Sequence, residues 1–204
     1  MTRIFVEGRD ADFIDKYLVH LYGENKGRWE IVSTGGYTKL ALADQQFKEN
    51  SDSGGSNLII FDADFPGNSG GFTTRKTYIE GKLDELSISS GIFLFPNNHD
   101  DGDFELLLEN IINEEHRCLL ECFEGYEKCV GGHIDGNGNP KYITPNRKAK
   151  MYAYVESFKK SKSARERFKN RKDFFFDNPE YWNLDAGYLS PLKEFLQKTI
   201  KHEE

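Results

Sequence analysis

Leu58-Ile59-Ile60-Phe61 is apolar at every position and is followed at once by Asp62-Ala63-Asp64. A strand with one wet face alternates between apolar and polar residues. A strand with no polar position needs cover on both faces, as in a parallel sheet flanked by helices. The surrounding chain supplies the units such a sheet requires. Arg3 to Val6 reads as a short strand, and Asp12 is placed to cap a helix with the stripe Phe13, Ile14, Tyr17, Leu18 and Leu21. Trp29 to Ser33 is a second strand, and Gly35-Gly36 opens a helix carrying Leu40, Leu42, Ala43 and Phe47. A helix from Thr73 or Thr74 to about Leu86 leads to a fourth strand, Gly91 to Phe95, and Phe104 to Ile112 is again helical. Four strands alternating with helices predict an α/β fold over residues 1–115, a four-stranded parallel sheet flanked by helices. Residues 116–204 read as a mostly helical extension packed on that core: His116 to Val130, a basic segment at 147–172, an aromatic stretch from Phe174 to Trp182, and a closing helix from Pro191 to Ile200.

Several classes are excluded at this stage. No run approaches the ~20 apolar residues of a membrane span, so no membrane partner is expected. Met1-Thr2-Arg3 leads into an apolar strand and then acid, unlike a secretory signal. Three cysteines do not make a disulfide scaffold. A cytoplasmic protein is the expectation.

The net charge of −7 hides a strong segregation. Residues 147–172 hold eleven Lys and Arg against Glu156 and Glu166, a local charge of +9, which leaves −16 on the remainder. A polyanionic partner fits such a segment, and a solvated charged helix explains it equally well. If nucleic acid is the partner, Lys159, Lys160, Lys162, Arg165 and Lys169 are the expected contacts.

The acids fall where a ligand site belongs. In an open parallel sheet that site lies beyond the carboxyl ends of the strands. Glu7 follows the first strand, Asp62 and Asp64 the third, and Asp103 and Glu105 the loop after the fourth. Residues two apart in an extended chain point the same way, so Asp62 and Asp64 can share one cation. Grouped carboxylates favour a hard ion such as Mg²⁺ or Mn²⁺. Helix capping explains Asp12 and Asp103 without a ligand, but it does not explain Asp62 or Asp64.

Phe5-Val6-Glu7-Gly8, taken with Leu58 to Asp64, resembles the Toprim domain of topoisomerases, bacterial primases, recombination-mediator proteins and OLD-type nucleases. Gly102-Asp103-Phe104-Glu105 resembles the Gly-Asp-hydrophobic-Glu segment of small, largely uncharacterised Toprim-like proteins related to the OLD-type nucleases. The resemblance covers residues 1 to about 115. It implies metal-dependent phosphodiester chemistry on nucleic acid, either nuclease or nucleotidyl transfer. Asp62 and Asp64 would hold the main ion. Glu7 would serve as general acid/base or as ligand of a second ion, completed by Glu105 and Asp103. OLD-type enzymes place an acid four residues after the first-motif Glu. Ala11 stands there in this chain, between the candidate substitutes Asp10 and Asp12. Lys150, in Lys150-Met151-Tyr152-Ala153, resembles the lysine that would stabilise transition-state charge, with Lys148 a second candidate. OLD nucleases carry an ATPase half, and no Walker motif occurs here, so an ATPase would be a separate protein partner. Two alternatives stay open: a non-catalytic Toprim scaffold that binds nucleic acid or a protein partner, and a small-nucleotide phosphohydrolase.

Other constellations have simpler readings. Cys118, Cys122, Cys129 and His133 invite a zinc reading, but the cysteines fall on one helical face and read better as a packed stripe. His99 reads as a surface imidazole. Gly67 to Gly71 could cradle a phosphate, but it lacks the Gly-Lys-Ser/Thr of a P-loop and reads as a connection. Phe174, Phe175, Phe176, Tyr181 and Trp182 could stack on bases. Beside Leu184, Leu189 and Leu192 they read better as tail packing.

Overall fold

The computed structural model describes residues 1–68 and 70–200. Strands β1 (Thr2–Val6), β2 (Trp29–Ser33), β3 (Ser56–Asp62) and β4 (Gly91–Phe95) form one sheet in the order β2-β1-β3-β4. All three pairings are parallel. The fold is therefore α/β, with a helical C-terminal part. Helices α1 (Asp10–Tyr22), α2 (Asp44–Asp52) and α3 (Phe72–Leu86) make the crossovers, and α4 (Phe104–Glu109) follows β4. Beyond them lie α5 (Arg117–Gly131), α6 (Arg147–Glu156), α7 (Lys162–Arg171) and α8 (Ser190–Gln197). None of these helices is long and apolar enough to cross a membrane.

The period of two along each strand decides what each helix covers. Phe5, Ile59, Phe61 and Leu94 pack with Leu40, Ala43 and Phe47 on one face, together with Ile79 and Leu83 of α3. The opposite face carries Phe93 and Phe95, which meet Phe195 of α8 at 5.4 Å and Phe104 of α4 at 5.1 Å between ring centroids. Phe104 also lies 5.2 Å from Phe13 of α1. Leu58 to Phe61 are all buried, which accounts for the missing alternation.

The chain divides into two compact units, residues 1–110 with 184–204, and residues 111–183. The closing helix thus belongs with the sheet. The second unit has an aromatic core in which the Tyr154 hydroxyl donates to the Tyr181 carbonyl at 2.6 Å and Tyr154 lies 5.3 Å from Trp182. Phe175, Phe176, Tyr181 and Trp182 are buried here, so the aromatic stretch is core material of this unit.

Local departures from the sequence expectation have local causes. Leu42 is 83% exposed, because the segment it occupies is a 3-10 turn (Tyr37–Ala43) whose tighter pitch rotates it away from Leu40 and Phe47. The basic segment is two helices, with Ser161 capping α7 through the Ala164 N–H. Helix α1 begins at Asp10, and Asp12 is an exposed first-turn residue rather than the cap.

Phe61 has no exposed surface at the centre of this arrangement. Phe61→Ala should lower unfolding stability by about 3–5 kcal/mol, read as a fall in urea midpoint with little change in slope.

Candidate functional site

The strand order changes direction at β1. The chain moves from β1 out to β2, then crosses back to β3 on β1's other side. The carboxyl ends of β1 and β3 therefore flank the switch point, where open α/β sheets bind ligands. Glu7 emerges from one and Asp62 from the other.

Backbone geometry gathers the other acids there. Asp10 is buried, and its carboxylate accepts from the Gly8 N–H at 2.7 Å and the Glu7 N–H at 3.3 Å. Asp62 Oδ1 accepts from the Phe104 N–H at 2.8 Å, tying the end of β3 to the start of α4. Asp103 caps α4 through the Leu106 N–H at 2.8 Å. Asp64 and Gly102 exchange two backbone bonds, at 2.6 and 3.0 Å. A Cβ on Gly102 would come within 2.8 Å of Leu106 Cδ2 and 3.0 Å of Pro96 Cδ. The Gly-Asp-hydrophobic-Glu segment thus has a structural logic. Gly102 pairs with Asp64, Asp103 caps, Phe104 donates to Asp62 and buries its ring, and Glu105 joins the charged edge.

Asp64 departs from the extended geometry. Its φ is 59°, and β3 ends at Asp62. The strand period therefore does not aim the two aspartates together. The Gly102 bridge and an ion pair aim Asp64 instead: Arg75 Nη2 lies 2.5 Å from Asp64 Oδ2. Arg75 is 3% exposed, and its guanidinium carbon sits 3.2 Å from the Tyr37 ring centroid. Gly70 fits closely behind, since a Cβ there would fall 2.4 Å from Asp64 Cβ. Sequence reasoning missed Arg75. The available signal was its place in the buried stripe Arg75–Ile79–Leu83 of α3, where an apolar residue is the norm.

The carboxylates repel one another in a poorly hydrated place. Burial pushes Glu7 up to about 7, and the charges of Asp10 and Asp64 add to it, while Arg75 opposes. Burial raises Asp10 to about 6 against the pull of its backbone hydrogen bonds. Asp62 is raised well above the usual carboxylate range, by burial first and then by Glu7, Asp10, Glu105 and Asp103. Glu7 Oε1 is buried without a hydrogen-bond partner. Glu7, Asp10, Asp62, Asp64, Asp103 and Glu105 are therefore one electrostatic cluster, whereas Asp12 is exposed. The donors fit a hard divalent cation in kind: all are oxygens, one is orphaned, and their charge is in excess. Among the described residues, no group of three or more His, Cys, Asp or Glu stands in an arrangement that could hold a metal ion.

The remaining candidates sit elsewhere. Lys150 belongs to the second unit, where its Nζ lies 3.5 Å from Glu124 Oε1 and 3.6 Å from Glu127 Oε2. Lys160 donates to the Val155 and Phe158 carbonyls at the end of α6. Lys159, Lys162, Arg165 and Lys169 are exposed. A small cleft is lined by Glu156, Phe158, Lys160, Arg165 and Lys169. Cys118, Cys122 and Cys129 are free and exposed rather than packed, because α5 buries chiefly its Leu120 side. His99 is exposed and 2.7 Å from Asp100. In the glycine-rich connection Ser69 lies outside the described residues. The first amide of α3, at Phe72, is taken by Asp101 Oδ1 at 2.6 Å.

The family model described as "Protein of unknown function (DUF3226)" matches residues 1–201. The chain belongs to this family. No curated protein and no solved structure matches it. In this DUF3226 member Glu7, Asp10 and Asp62, at the β1 and β3 ends, are carboxylates held above their ordinary range, with burial as the first cause in each.

Glu7, Asp10 and Asp62 hold protons more tightly in the folded chain than in the unfolded one, where ordinary values near 4.5 and 3.8 apply. Protonation of Glu7 and Asp10 stabilises the fold fully below about pH 4, and that contribution is lost as pH rises through about 6 and 7, while Asp62 adds a contribution of the same sign. In chelator-treated protein, Glu7→Gln should remove on the order of 2 kcal/mol of this loss. The variant should therefore melt closer to wild type at pH 5 and above it at pH 8. Parallel melting curves at both pH values would contradict the assignment.

Proposed function

We propose that this DUF3226 protein performs Toprim-type phosphodiester chemistry on nucleic acid, as a nuclease or nucleotidyl-transfer enzyme dependent on Mg²⁺ or Mn²⁺. The observation that carries the reading is the acid cluster at the switch point, with Glu7 Oε1 buried and unpaired in its midst. Asp62 and Asp64 would hold the cation, with Glu7, Asp10, Asp103 and Glu105 available around it. When bound, the cation would offset the repulsion between this edge and a phosphate, and activate a water or hydroxyl. Glu7, at about 7, is poised to take or return a proton at neutral pH. Asp10 and the amides of Glu7 and Gly8 fix the turn that presents it. The exposed cations Lys159, Lys162, Arg165 and Lys169 would attract the polyanion, while Lys160 serves its own helix end. Three exposed free thiols suit a reducing compartment, so the cytoplasm is the location this reading implies.

A second reading has its own support. Asp64 is already paired with Arg75 and Asp62 with the Phe104 N–H, as in a scaffold that binds nucleic acid or a protein without cleaving.

Calorimetric titration with Mn²⁺ tests the site. Wild type should bind saturably, and Asp62→Asn with Asp64→Asn should abolish binding while the metal-free protein stays folded. Unchanged binding in the double variant would remove the assignment. Incubation with single- and double-stranded DNA and RNA, with and without Mn²⁺, then separates enzyme from scaffold.

Replacing Lys159, Lys162, Arg165 and Lys169 with Gln should weaken nucleic-acid binding and flatten its salt dependence. The slope of log affinity against log salt is about −0.9 per neutralised phosphate on duplex and about −0.7 on single strands. Metal binding should not change. An intact protein with no salt-dependent affinity for any of these polymers would make the basic segment a solvated surface.

A further inference from the structure

Burying a guanidinium is costly unless its charge and its donors are both met. Arg75 meets this requirement only in part. Nη2 is paired with Asp64 at 2.5 Å and Tyr37 covers one face, yet Nε is buried without a hydrogen-bond partner. Asp64 is held toward it by a left-handed backbone, by the Gly102 bridge and by the absence of a side chain at Gly70. The same guanidinium acts electrostatically on Glu7, so its charge reaches into the cluster beyond its direct partner. Asp64 itself keeps about a third of its side-chain surface exposed, while Arg75 keeps almost none. A buried cation is thus fixed against an accessible carboxylate on the edge where a divalent ion would bind.

We propose that Arg75 is the built-in counter-cation of this site, a positioning residue that competes with a divalent cation for Asp64 and thereby sets how tightly the site takes one. The inference rests on the cation reading above. With no ion bound, the guanidinium offsets part of the carboxylate repulsion and keeps Asp64 aimed. When an ion approaches, two positive groups cannot both sit closely on one carboxylate without repelling each other. The affinity measured for the ion is then its intrinsic affinity lowered by the work of loosening the Asp64–Arg75 pair. Arginine suits the role because its flat guanidinium can stack on Tyr37 while it donates sideways to Asp64.

Mn²⁺ titration of wild type, Arg75→Gln and Arg75→Lys at pH 7.5 tests the proposal. Arg75→Gln should bind at least ~10-fold more tightly, and Arg75→Lys, which keeps the charge, should stay within about threefold of wild type. Unchanged or weaker binding in Arg75→Gln overturns the proposal, since a merely structural arginine would lose affinity on removal. So does an equal gain in the Lys variant. A measurement on wild type keeps the test independent of whether the variants fold. In ¹⁵N-labelled protein, saturating Mg²⁺ should shift or broaden the Arg75 Nε–H resonance as the ion pair loosens. An unmoved resonance at saturation overturns the proposal. If wild type shows no binding that the Asp62 and Asp64 substitutions remove, the cation reading itself has failed. If wild type binds and Arg75→Gln does not tighten, only the role of Arg75 falls.

Discussion

Strand β3 is paired on both edges, by β1 and β4, and its residues from Leu58 to Phe61 are buried. Nothing polar is tolerated along that stretch, so the first place where β3 can carry charge is its carboxyl end. Asp62 stands there, beside the end of β1 and under the start of α4. Apolar cover thus fixes where the acids go. The hydrophobic term that assembles the sheet is large and non-directional, and it delivers the carboxylates to one edge whether or not they repel. Specific contacts then make the edge tolerable. Backbone N–H groups of Glu7, Gly8 and Phe104 point at Asp10 and Asp62, and the side chain of Arg75 meets Asp64.

Those contacts do not cancel the repulsion. Glu7, Asp10 and Asp62 all remain above the ordinary carboxylate range, burial being the first cause in each case. A fold selected for stability alone would place amides or apolar residues at these positions, as replacing buried charge by well-packed groups commonly costs nothing. Keeping the acids together leaves an edge with excess negative charge and an unpaired oxygen. Such an edge gains most from a ligand of high positive charge density. That is the physical link between the packing of β3 and the function proposed for the edge.

The parts of this arrangement legible in the sequence are those set by short-range periodicity. Uninterrupted apolar residues at 58–61 specify a strand covered on both faces; Glu7 and Asp62 then fall at strand ends, and Asp103 and Glu105 at the start of the helix after the fourth strand, by counting alone. The geometry of Asp64 was not legible, because the left-handed turn depends on Gly102, nearly forty residues away, and on the close approach of Gly70. Arg75 was hidden for a related reason. An arginine on a helix is ordinarily solvated, and only the tertiary partners Asp64 and Tyr37 make this one a buried cation. Asp10 and Asp12 differ by half a helical turn, and where α1 starts decides which faces the cluster. Lys150 was singled out by a local pattern, and its partners Glu124 and Glu127 come from a different helix.

The division of charge follows the division into units. Residues 1–110 with 184–204 hold thirteen basic and twenty-three acidic side chains, a net of −10, and residues 111–183 hold fourteen and eleven, a net of +3. A polyanion is therefore repelled over distance by the unit that carries the acid cluster, and attraction must come from the other unit or from bound cations. The two sources differ in range and in response to salt. Attraction to exposed lysines and arginines of α7 is screened over a Debye length of about 8–10 Å at physiological ionic strength. Attraction through an ion held among half-buried carboxylates acts at contact distance and is screened far less. On the proposed reading, a chain built this way would separate capture of a phosphate polymer from accommodation of a single phosphate, since monovalent salt would weaken the first and competition for Asp62 and Asp64 would govern the second.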